Sequence, residues 1–324
     1  MNEKQRYDHI DIARGIAIIL VVVGHSCHTP ENPLNRLILS FHMPLFFFLS
    51  GIFAKECSIP DIMRKIGPKA KRLLIPQITL GFATIILNLV KFVMKGEEIN
   101  IGLNVFWGWF LPVLFLCSVL FMFLSSVLDM KSTRNKIMIT LVLLGGAILC
   151  SVSNLHEPQF WKDWLIKTPI AFFFYFVGFI TRNYSLRQIK ENKISNDSIL
   201  IIMASILFVL SQWNSPVFMY INEYGNFILF IITSFLGAYV IIELSKRVMH
   251  FQLIIEIGKL TIAIYIWNFL IIAVVKSLIH KFLLDTGLYT GAVQAALAFV
   301  ISMSILYLFS KFTNKYFPLI YGSK

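Results

Sequence analysis

Apolar side chains run along this chain in ten stretches of roughly 20 residues, the length a helix needs to cross a hydrocarbon core. The pattern predicts helices over 10–28, 34–54, 73–94, 106–128, 137–153, 165–181, 198–214, 225–242, 254–275 and 289–311. Polar positions inside them are not scattered. The third helix carries Gln77, Thr84, Asn88 and Lys91, which share a face at about 100° per residue. The ninth carries Thr261, Tyr265 and Asn268, again on one face. Polar groups in lipid must find partners, so both stripes turn toward other helices or a wet cavity. Each stripe either holds helices together by hydrogen bonds or lines a site, and the spacing alone leaves both open. The fifth helix is almost purely aliphatic, which predicts a peripheral span facing lipid.

Composition agrees with this pattern. Of 324 residues, 57% are hydrophobic and 14% charged, where soluble domains carry about 25% charged residues. No linker, low-complexity tract or internal repeat breaks the pattern, so residues 1–324 read as a single integral membrane domain, all-α and polytopic. The first helix contains Asp11 and Arg14 and lacks a small-residue cleavage site, so it reads as a permanent helix rather than a leader.

The net charge is +12, but no aromatic–basic nucleic-acid module accompanies it, and nucleic acid is not an expected partner. The charge instead alternates along the loops. Lys4, Arg6, the 55–72 segment, 129–136, 182–197, 243–253 and the tail with Lys311, Lys315 and Lys324 gather on one side. With Arg14 and Lys259, that side holds about 22 Lys and Arg against about 7 on the other, which predicts cytoplasmic N- and C-termini. The other side carries the acids Glu31, Glu97, Glu98, Glu157 and Glu223, and Trp107 and Trp109 fall at its membrane interface. Cys27, Cys57, Cys117 and Cys150 show no metal-ligand spacing, and no metal is expected. A Cys27–Cys150 disulfide near the outer face stays open.

The first helix carries the candidate chemistry. Arg14 and His25 lie eleven residues apart, which puts them about 16 Å apart along a helix and within about 20° of one face. Asp11 sits one turn before Arg14, where an ion pair would offset the burial of both. An ionisable group inside a span costs about 2.5–3.5 kcal/mol on insertion scales, so three in register point to use. The structural alternatives are snorkelling of Asp11 and Arg14 to the headgroups and a satisfied histidine at 25. On the second helix, His42 lies in the outer half at a depth similar to His25, and Pro44 should free backbone carbonyls there. His28 belongs to the loop and reads as solvated.

The arginine–ten residues–histidine pattern in DIARGIAIILVVVGHS resembles the first-helix signature of the multi-pass membrane acyltransferases, acyltransferase family 3. FHMPLFFFLSG is similar to the family's second-helix block. RLLIP, WFLPVLF and IGKLTIAIYIWNFL extend the resemblance over most of the chain, toward the fucose 4-O-acetylase-like branch. The resemblance implies a ten-helix enzyme that takes an acetyl group from cytoplasmic acetyl-CoA. The acceptor would be a hydroxyl on a cell-surface glycan or its lipid-linked precursor, and the expected location is the bacterial cytoplasmic membrane. Arg14 and His25 take the positions of the family's arginine and histidine, and the second block covers His42, Ser50 and Gly51. Many relatives have a histidine where this chain has Asn268. Some also carry an extra-membrane esterase-like domain, for which this chain is too short.

Acyl transfer from a thioester needs a base for the attacking hydroxyl and donors for the oxyanion. His25 is the expected general base. His42 follows as base partner, oxyanion donor or sugar positioner, and Ser26 points about 100° away from His25. The anionic donor would meet Arg14, helped by Asp11, and the cluster of Arg64, Lys65, Lys69, Lys71 and Arg72. Gln77, Asn88, Trp109, Tyr265 and Asn268 are the other candidate substrate contacts. A transporter or flippase would also carry intramembrane charges; inverted repeats and paired broken helices in matching positions would favour it, and the sequence shows no convincing internal repeat. Oligomeric state stays open.

Overall fold

The computed structural model describes residues 7–27, 31–95, 108–152, 160–187, 193–283 and 291–322. Lys4, Arg6, His28, Glu97, Glu98, Trp107, Glu157, Lys324 and the side chain of Lys91 lie outside the described part. The helices are α1 (Asp8–Ser26), α2 (Pro33–Leu39), α3 (His42–Ile52), α4 (Ile59–Lys95), α5 (Phe110–Val127), α6 (Thr133–Val152) and α7 (Phe160–Ile180), then α8 (Arg182–Ser185), α9 (Lys193–Trp213), α10 (Phe227–Arg247), α11 (Gln252–Lys259), α12 (Thr261–Leu283) and α13 (Gly291–Tyr316). Among the described residues there is no strand, only an isolated bridge between Phe218 and Glu223. Nine helical stretches among those residues are long and apolar enough to cross a membrane. Residues 197–213 of α9, the expected seventh span, form a shorter apolar helix. The chain is an all-α polytopic membrane protein.

Three expectations need correction. The basic 55–72 segment is not a loop, because α4 begins at Ile59 and runs unbroken through Pro68 and Pro76. A start signal is present in the sequence: Ser58 donates a hydrogen bond to Asp61, Pro60 fits a first helical turn, and Asp61 adds an acid there. The second span is two helices, parted at Ser40–Phe41. Pro44 cannot donate to the Ser40 carbonyl and its ring crowds that oxygen, so α2 ends there. Pro44 itself sits in the first turn of α3, where its missing N–H leaves no gap. The ninth span is also two helices, α11 and α12, parted at Leu260. All four cysteines are free thiols, so Cys27 and Cys150 form no disulfide.

The chain forms two compact units, each discontinuous in sequence. The first comprises Met1–Gly24, Thr29–Phe53 and Phe174–Thr261. In it α10 packs on α3 and α9, and α2 packs on α9. The Ser40 carbonyl freed by Pro44 accepts from the Ser234 hydroxyl of α10 at 3.1 Å, so the break between α2 and α3 is closed by a neighbouring helix. Arg36 of α2 donates to the Gln212 and Asn214 carbonyls at the end of α9. At the last turns of α10, Glu243 accepts from Lys246 at 2.6 Å and from the Tyr184 hydroxyl at 3.2 Å, and both charges are buried. Burial and the Glu243 carboxylate push the Tyr184 phenol up, so it stays protonated and donates.

The second unit comprises His25–His28, Ala54–Phe173 and Ile262–Lys324. There α4 lies along α5. The 3-10 turn Pro318–Tyr321 fastens α4 through Thr79, which donates to the Ile320 carbonyl at 3.0 Å. Trp267 of α12 donates to the Tyr321 hydroxyl at 2.8 Å. Helix α6 buries only Ile139 and Ala147, which fits a peripheral span.

Candidate functional site

Helix α1 is continuous from Asp8 to Ser26 and passes from the first unit into the second at Gly24–His25. Its candidate residues therefore have two separate surroundings.

In the first unit, Arg14 pairs with the buried carboxylate of Asp11 at 3.3 Å, as the one-turn spacing predicts. Its guanidinium carbon also lies 4.9 Å from the centre of the Phe53 ring. About a third of the Arg14 side chain, 32%, stays exposed. This turn of α1 is fixed by close backbone contact. A Cβ on Gly258 of α11 would overlap the Asp11 carbonyl oxygen, and a Cβ on Gly15 would overlap the Ile254 carbonyl oxygen. The two glycines let α1 and α11 approach backbone to backbone at the level of Arg14. That contact explains glycine at these points of ARG and IGK, which sequence alone presents only as motif letters.

His42 opens α3 and is half-buried. Its Nδ1 lies 2.9 Å from the Ile38 carbonyl. A carbonyl only accepts, so Nδ1 carries the hydrogen. His42 thus braces the junction of α2 and α3. Ser50 donates to the Phe46 carbonyl one turn back, and Gly51 gives room for the Tyr175 carbonyl.

In the second unit, the side chain of His25 is exposed. Its ring lies 4.5 Å from that of Phe269 on α12, centre to centre. Lys276 of the same helix donates to the His25 carbonyl at 2.8 Å and to the Cys27 carbonyl at 3.4 Å. Sequence reading missed Lys276 because it ended the ninth span at residue 275. The helix continues to Leu283, and a lysine inside an apolar run was the available signal. Burial pushes the Cys27 thiol up although Lys276 pulls it down.

Residues 108–110 lie against members of both polar stripes. Gln77 is buried, with its amide where a Cβ on Gly108 would stand. Trp109 packs edge-on against Phe110, whose ring lies 5.4 Å from that of Tyr265. Asn268 is fully buried; its amide donates to the Tyr265 carbonyl at 2.5 Å, and its carbonyl oxygen has no partner among the described residues. Asn268 directly precedes Phe269, which packs on His25. Thr84 and Thr261 instead bond to backbone carbonyls of Leu80 and Gly258. Asn88 is half-buried, about 16 Å along α4 from Gln77.

The basic residues of α4 occupy a rigid helix. Lys65, Lys69 and Arg72 form one stripe by their spacing, and Arg64 and Lys71 form another. Arg64 is exposed and pairs with Asp61 at 3.0 Å, Arg72 is exposed, and Lys69 is half-buried. Among the described residues no group of three or more His, Cys, Asp or Glu side chains could hold a metal ion.

Many apolar spans, with an arginine and a histidine kept inside the first, define a multi-pass membrane protein. A family model described as an acyltransferase domain matches residues 7–311. The chain belongs to this family, acyltransferase family 3. A stretch of 78 residues is 37% identical to nodulation protein NolL of Sinorhizobium fredii (strain NBRC 101917 / NGR234), covering 21% of each chain. The match thus spans about a fifth of that relative's length. No solved structure matches the chain.

Proposed function

We propose that residues 1–324 act as one integral membrane O-acetyltransferase domain of a bacterial cytoplasmic membrane, with both termini in the cytoplasm. It moves an acetyl group from cytoplasmic acetyl-CoA to a hydroxyl of a cell-surface glycan or its lipid-linked precursor. The observation that carries this reading is α1 itself. One unbroken helix in a chain of an acyltransferase family presents Arg14 and His25 on one face, about 16 Å apart.

In this reading the acceptor hydroxyl gives its proton to a ring nitrogen of His25 as its oxygen bonds to the thioester carbon. The tetrahedral oxyanion then collapses, the carbon–sulfur bond breaks, and the imidazolium returns the proton to the departing thiolate. Arg14, held by Asp11, binds donor phosphate through its guanidinium. Arg64, Lys69 and Arg72 raise the concentration of the anionic donor at that membrane face. The acceptor is bound by polar and aromatic groups of the second unit: Gln77, Asn88, Trp109, Tyr265 and Asn268. His42 acts on the acceptor through its imidazole. The direct test uses purified protein in lipid nanodiscs with acetyl-CoA and a glycan preparation, following free CoA. Thioester consumption that depends on glycan and vanishes in His25→Ala supports the reading. Glycan-dependent consumption that survives in His25→Ala contradicts it.

A further inference from the structure

Resting on the acyl-transfer reading, we propose that Lys276 is the positioning residue of the candidate base: it ties down the last turn of α1 and so fixes the His25 ring against Phe269. Among the described residues no hydrogen bond reaches either ring nitrogen of His25. A histidine base is commonly oriented by a carboxylate on its second nitrogen. Among the described residues His25 has no such brace, and its orientation is set by its backbone and by ring packing. Helix α12 supplies both. Phe269 packs on the ring, and Lys276 binds the carbonyls of His25 and Cys27.

Three features make this more than a chance contact. The His25 and Cys27 carbonyls lie where α1 ends and has no amide of its own to offer them. Residues 269 and 276 are seven apart on a continuous helix, hence on one face and about two turns apart. One rigid element therefore sets the ring and its backbone together. An ammonium also matches the partial negative charge of a helix C-terminus, which gives a reason for a lysine at this point of the span. The ring nitrogens stay free to exchange a proton with substrate while the atoms behind them are held.

The test compares Lys276→Met and Lys276→Arg in the full-length protein, in nanodiscs, with two readouts. The first is turnover of acetyl-CoA with the glycan preparation. The second is the rate at which diethyl pyrocarbonate modifies His25, read by mass spectrometry with exposed His250 as internal control. Lys276→Met is expected to lower kcat at least about tenfold and to raise the His25 modification rate about threefold as the ring leaves Phe269, with His250 unchanged. Lys276→Arg is expected to restore both to within about threefold. If Lys276→Met does not yield monodisperse protein, Lys276→Gln takes its place under the same criteria. A neutral variant with wild-type kcat and wild-type His25 modification overturns the proposal, as does a loss of turnover with His25 modification unchanged. If wild-type protein consumes no acetyl-CoA, the acyl-transfer reading fails by itself, and the modification rates still decide whether Lys276 holds His25.

Discussion

Asp11 and Arg14 form an ion pair 3.3 Å long, one turn into α1, with the carboxylate buried and the guanidinium partly open. A partly exposed guanidinium is suited to binding phosphate. Arg14→Ala should raise the KM for acetyl-CoA about tenfold. Asp11→Asn should leave that KM within about twofold while lowering the thermal midpoint, because it removes the brace and not the fork. The pair of KM values, measured by CoA release, checks the assignment. Equal effects of the two variants on KM would make Arg14 structural.

The close approach of α1 and α11 makes a sharp prediction about glycine. Gly15→Ala and Gly258→Ala place a methyl group on a backbone oxygen that cannot step aside, and each should destabilise by about 1–3 kcal/mol. Gly67 and Gly145 have open space beyond their Cα atoms. Alanine there should be neutral or stabilising by up to about 1 kcal/mol, since it lies in a helix. Thermal midpoints of the four variants in one detergent test the contrast.

His42 separates a brace from a chemical role. Asparagine at 42 can reproduce the Nδ1 donor to the Ile38 carbonyl and lacks the imidazole Nε2. His42→Ala should cost about 1 kcal/mol of stability. His42→Asn should recover that stability yet keep kcat/KM about tenfold below wild type. Full recovery of turnover in His42→Asn would reduce His42 to a hinge pin between α2 and α3.

The Glu243–Lys246 pair at the end of α10 is buried and hydrogen-bonded. Glu243→Gln strands a buried ammonium and should destabilise by about 3 kcal/mol. The double variant Glu243→Leu with Lys246→Met removes both charges and should recover most of that loss. Chemical denaturation in micelles reads both values. A double variant as unstable as the single one would assign the loss to packing.

Element type was legible because apolar runs of span length leave few alternatives in lipid, where the backbone must bond to itself. The breaks were harder to read. Pro44 pointed to the parting of α2 from α3, but the partner that closes it, Ser234, lies far away in sequence. The start of α4 was hidden because Arg64, Lys65, Lys69, Lys71 and Arg72 erase the apolar signal while leaving helix propensity intact. In the candidate site, the Asp11–Arg14 pair followed from helical spacing alone. Phe269 and Lys276 did not, because no local rule says which helix meets the end of α1. Gly15 and Gly258 were visible only as letters in motifs until their backbone partners were known.

The most direct measurement follows radiolabelled acetyl from acetyl-CoA into alkali-labile ester on the surface polysaccharide, in membranes from cells carrying wild-type protein or His25→Ala at matched abundance. Labelled ester with wild-type protein and only background label with His25→Ala is the predicted result. Equal label in both membranes would contradict a proton-abstracting role for His25 and remove the basis of the proposed mechanism.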